Sequence, residues 1–66
     1  MRVLLRDTST GLYFQEPEHW TGETDKARNF KHSADAMNLA RQQQLRQAEV
    51  ILSFEESAYR VALPLP

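Results

Sequence analysis

The chain has 66 residues and no cysteine. Disulfides, thiol chemistry and cysteine-ligated zinc are therefore excluded. Glycine is nearly as scarce, with Gly11 and Gly22 alone, so no glycine-rich phosphate loop can form. The serines Ser9, Ser33, Ser53 and Ser57 lie in no Gly-x-Ser-x-Gly elbow. No apolar run approaches the length of a membrane span. The chain starts on an alternating apolar run with only Arg2 ahead of it, without the longer apolar region and cleavage site of a signal peptide. Charge of one sign is also lacking: 8 Lys and Arg stand against 9 Asp and Glu, for a net charge of -1. That balance argues against nucleic acid, whose phosphates reward concentrated Lys and Arg. Together these absences lead us to expect a soluble cytoplasmic protein.

A chain this short makes a single small domain, 1–66, and buries only roughly 60% of its unfolded surface. Extra burial from a partner or a second copy would help it. Its organising stretch is Ser33 to Ala48, the one segment patterned as a full helix. No Gly or Pro interrupts it, and Ala, Leu, Gln, Arg and Met lose little freedom in a helix. Ser33 is the expected N-cap, with Asp35 in the first turn, where the helix dipole favours a carboxylate. At 100° per residue Ala34, Met37, Ala40, Leu45 and Ala48 fall on one side, a thin stripe of small residues.

The remainder reads as short strands. Residues Arg2 to Asp7 alternate, with Val3 and Leu5 on one face and Arg2, Leu4 and Arg6 on the other. A turn at Asp7–Gly11 returns the chain along Leu12–Gln15, giving a hairpin. The stretch from Glu16 to Lys26 is polar and reads as an irregular loop, with Trp20 as its anchor. Ala27–Phe30 is a brief third strand or a single turn of tight helix that pins the chain ahead of the main helix. After the helix, Glu49–Phe54 and Tyr59–Leu63 alternate around a turn at Glu55–Ser57, and Pro64 closes the last strand. The expected fold is α+β: a small antiparallel sheet, β-β-(β)-α-β-β, with one helix packed on one face. That face carries Val3, Leu5, Leu12, Phe14, Val50, Leu52, Phe54, Val61 and Leu63.

The order of a first strand, Asp7, Thr10-Gly11-Leu12-Tyr13-Phe14, Trp20, Ala27, Phe30 and a helix beginning near Ser33 resembles a class of short uncharacterised bacterial domains. In these a hairpin is followed by a Trp-bearing loop and an Ala-x-x-Phe lead-in to a helix. The resemblance covers residues 1–48. It implies a small α+β fold and carries no activity, cofactor or catalytic residue with it.

Little in the chain points to chemistry. His19 and His32 match no metal-binding spacing, and Glu55 and Glu56 are adjacent in a turn, so we expect no metal, no cofactor and no catalytic residue. The more informative constellation is the sheet face away from the helix. There Arg2, Arg6 and Arg60 surround Leu4, Tyr13 and Ile51, an apolar centre with a charged rim. With Trp20 as a further contact residue, these form the expected interaction face of a non-catalytic protein-interaction or structural domain, meeting itself or another protein. Two alternatives are weighed against it. One is a single-stranded nucleic-acid module using Tyr13 as a stacking platform with the same arginines. The other is a small hydrolase or metal-dependent enzyme, for which no motif speaks.

Overall fold

The computed structural model describes residues 1–54 and 59–65. Five strands make one antiparallel sheet: β1 (Arg2–Asp7), β2 (Tyr13–Glu16), β3 (His19–Thr21), β4 (Ala48–Phe54) and β5 (Tyr59–Pro64). Their order is β3-β2-β1-β4-β5, and a single helix, α1 (Ser33–Gln42), packs on β1 and β4. This is the expected α+β architecture, with Val3, Leu5, Phe14 and Val50 buried on the helix side. The turn expected at Glu55–Ser57 lies outside the described residues.

Several local expectations are corrected. The helix stops at Gln42 rather than Ala48, because Gln44 turns left-handed at φ 56. The Leu45 N–H then donates to the Ala40 carbonyl (2.9 Å) and the Gln44 N–H to that of Arg41 (3.1 Å). This paired closure satisfies carbonyls that a helix end leaves open. Leu45 folds back onto the cluster containing Leu39 and Ala40, and Ala48 is buried as the first residue of β4. At the other end the N-cap is His32, not Ser33, and its side chain makes no capping bond. The buried helix residues are Ala36 and Ala40, with Met37 and Leu39 half-buried, while Ala34 is exposed. The buried stripe is thus rotated from the expected one, toward Phe30 and Leu65, which pack beneath it.

The third strand lies inside the stretch read as a loop. A turn through Pro17 and Glu18 (φ 68) brings His19–Thr21 back onto β2, pairing Trp20 with Phe14. The two rings meet edge to face, 5.5 Å apart at 86°, a favoured aromatic geometry. Leu12 precedes β2 and is exposed, as is Phe54 at the end of β4, so neither belongs to the core.

Ala27–Phe30 is not a strand but a wedge. The register of β1 on β2 consists of Arg6 opposite Tyr13. Beyond it the Arg28 N–H donates to the Phe14 carbonyl (2.9 Å) and the Phe30 N–H to the Val3 carbonyl (2.8 Å). The Val3 N–H donates in turn to Oδ1 of Asn29 (3.0 Å). The segment therefore supplies the partners that β1 and β2 would otherwise give each other.

Candidate functional site

The sequence pattern places Arg2, Leu4, Arg6, Tyr13, Ile51 and Arg60 around the sheet face away from α1. Leu4, Tyr13 and Ile51 do form one cluster, joined by Ala27. They are covered, however, with 0%, 8% and 4% of their surfaces exposed. The expected exposed apolar centre is thus corrected to a second small core. Its cover has three parts. The 3₁₀ turn at Thr24–Lys26 leads into Ala27 and is held down by Arg2, which donates from Nη1 to the Thr24 carbonyl (2.7 Å) and from Nη2 to the Ala27 carbonyl (3.0 Å). The Arg6 guanidinium lies 5.9 Å from the Tyr13 ring centroid and 3.4 Å from Oε1 of Glu49. Arg60 reaches the Tyr13 hydroxyl at 3.5 Å. A buried Tyr13 ring also offers no platform for a nucleobase, which removes the stacking geometry of the nucleic-acid alternative. Trp20 lies elsewhere, half-buried in the helix-side cluster against Phe14.

Backbone groups that the sheet leaves open lie along the outer edge of β5. In an antiparallel pair, hydrogen-bonded and non-hydrogen-bonded residue pairs alternate. The Thr8 N–H donates to the Gln47 carbonyl (2.8 Å), one step beyond Asp7 opposite Ala48. Counting from there, Glu49, Ile51 and Ser53 turn their backbone groups to β1, and Val50, Leu52 and Phe54 turn theirs to β5. The bonds of Val3 to Phe30 and Asn29, on the side of β1 away from β4, agree with this parity. The β5 partners of Val50, Leu52 and Phe54 are Leu63, Val61 and Tyr59. Arg60, Ala62 and Pro64 therefore direct their backbone outward. Pro64 lacks an N–H and sits where none is needed by the sheet. Among the described residues, no strand pairs with this outer edge.

Beside the edge, α1 leaves β5 largely bare. Val61, Leu63 and Leu65 are half-buried, and Arg60, Ala62 and Pro64 are exposed. An open groove of about 840 Å³ lies between the end of α1 and the end of β5, lined by Met37, Arg41, Leu45, Pro64 and Leu65 among others. The sequence pattern already places Ala62 on the face away from α1 and Pro64 at the end of the last strand; that their backbone turns outward follows from strand parity.

Other polar groups have local tasks. Nδ1 of His19 lies 2.8 Å from Oε1 of Glu16, and His32 is exposed at the start of α1 with no capping bond from its side chain. Among the described residues, no three His, Asp or Glu side chains gather as a metal site. Oδ1 of Asp7 accepts from the Ser9 hydroxyl (2.6 Å) and the Ser9 N–H (2.8 Å). The Ser9 hydroxyl holds its carboxyl below the ordinary range; burial opposes this, and the backbone amides of Ser9 and Thr10 add to the lowering. This is the chemistry of a tight turn. No helix among the described residues is long and apolar enough to cross a membrane.

Comparison of the chain with protein-family models, with curated proteins and with solved structures found no match.

Proposed function

We propose that this chain is a small, non-catalytic protein-interaction domain, cytoplasmic in location, that binds by accepting a strand at the outer edge of β5. The observation that carries this reading is the edge at Arg60, Ala62 and Pro64, which no strand among the described residues pairs, beside apolar side chains that α1 leaves half-buried. Strand addition uses such an edge for affinity and adjacent pockets for side-chain preference. The groove lined by Met37, Leu45 and Leu65 is the natural pocket for the incoming strand.

Photocrosslinking tests the reading. A chain of 66 residues is within reach of total synthesis, so a benzophenone side chain can replace Arg60 or, as a control, the exposed Gln42. The expected result is discrete adducts from position 60, lost when the Ala62 nitrogen is methylated. Adducts equally abundant from position 42, or indifferent to the methyl group, overturn it.

A further inference from the structure

We infer that the strand accepted at β5 is β5 of a second copy, running antiparallel about a two-fold axis at Ala62. This rests on the reading of the β5 edge as the contact site and names its occupant. A two-fold contact sets the same edge against itself, so outward residues must satisfy one another. An axis at Pro64 wastes the position, because proline has no N–H to exchange. An axis at Leu63 leaves, among the described residues, only the Ala62 N–H donating to the partner's Pro64 carbonyl. An axis at Arg60 sets two guanidinium groups directly opposite each other. An axis at Val61 makes them diagonal neighbours, about 7–8 Å apart at the backbone.

An axis at Ala62 avoids each of these. Ala62 exchanges N–H and carbonyl with the partner's Ala62, and the Arg60 N–H meets the partner's Pro64 carbonyl. The two arginines lie at opposite ends of the junction. Charge complementarity favours this register as well. Arg6, Glu49 and Pro64 form one cross-strand row on the face away from α1. Arg60 extends the partner's row by one strand, turning its cation toward the partner's Glu49. That carboxylate has Arg6 at 3.4 Å and keeps part of its surface exposed. The Arg60 bond to the Tyr13 hydroxyl, at 3.5 Å, is weak enough to release. On the helix side, the half-exposed Val61 meets the partner's Leu63 in the closer, non-hydrogen-bonded kind of pair, about 4.5 Å between Cα atoms.

Sedimentation equilibrium of the full chain, with a charge swap at the axis, tests this. The wild-type mass is expected to rise from the 7.7 kDa of one chain toward twice that value with concentration. Ala62 is exposed, so Ala62→Lys and Ala62→Glu leave the fold intact by circular dichroism. Each alone is expected to associate about fivefold or more weakly, since like charges then face each other. An equimolar mixture is expected to recover the association. A wild-type mass that stays that of one chain to millimolar concentration overturns the inference. So does tighter association of Ala62→Glu alone, which would set the carboxylate beside the partner's Arg60 with the axis at Val61. If the chain is monomeric while position 60 still crosslinks to a different protein, the edge reading stands and the second copy falls. If position 60 yields no adduct at all, both fall.

Discussion

The hydroxyl of Tyr13 on β2 lies 3.5 Å from Nη1 of Arg60 on β5, with β1 and β4 between their strands. The phenol ring therefore lies along the sheet, over Leu4 and Ile51, rather than standing off it. Its apolar body does the covering, and its polar tip ends among arginines. We expect Tyr13→Phe to change stability by less than about 0.5 kcal/mol, because a contact at this distance contributes little. Tyr13→Ala should cost about 3–5 kcal/mol because it uncovers the buried cluster beneath. Chemical denaturation of both variants checks the contrast, and equal losses would contradict it.

Phe14 is buried in the helix-side core with Leu5, Ala40 and Ala48. It is 2% exposed, meets Trp20 edge to face, and tilts against Phe30 at 5.9 Å. Phe14→Ala should cost about 3–5 kcal/mol. In the folded fraction Trp20 emission should shift to the red and its quenching by acrylamide should increase, since the ring loses its neighbour. Unchanged emission would separate Trp20 from the core.

Asn29 is exposed, yet its Oδ1 accepts from both the Val3 and Lys31 N–H groups at 3.0 Å. Asn29→Ala leaves the Val3 amide without its acceptor and should cost about 1–3 kcal/mol. Asn29→Asp keeps the acceptor and should cost less. Thermal melts of the two variants decide the ranking, and a neutral Asn29→Ala would remove the wedge from the account.

Gln44 holds a left-handed backbone at the end of α1, where its neighbour Gln43 is ordinary helical at φ -84. A side chain in the left-handed region carries a backbone cost that glycine avoids. Gln44→Gly should stabilise the fold by about 0.5–1 kcal/mol, and Gln43→Gly should destabilise it. Midpoints of urea unfolding give both signs.

Regular alternation made β1, β4 and β5 legible in the sequence, and with them the antiparallel sheet and the helix-bearing face. What escaped was set by contacts between distant segments. Trp20 reads as an isolated aromatic until Phe14 supplies its strand partner, so β3 was hidden in a polar stretch. The end of α1 was hidden because Gln44 is not the glycine that usually marks such a stop. Leu4, Tyr13 and Ile51 were correctly grouped on one face. Their cover depends on Arg2 gripping the carbonyls of Thr24 and Ala27, a contact across more than twenty residues that no periodicity encodes. The usable edge at Ala62 was half legible: Pro64 marked the strand end, but the parity needed the register with β4.

Residue-resolved amide hydrogen exchange as a function of protein concentration tests the β5 edge most directly. In dilute solution Val61 and Leu63, bonded to β4, should be protected, while Arg60 and Ala62 should exchange at nearly the free rate. As concentration rises, exchange at Arg60 and Ala62 should slow while Val61 and Leu63 change little. Fast exchange at Arg60 and Ala62 throughout, or protection with the parity reversed, would contradict the account.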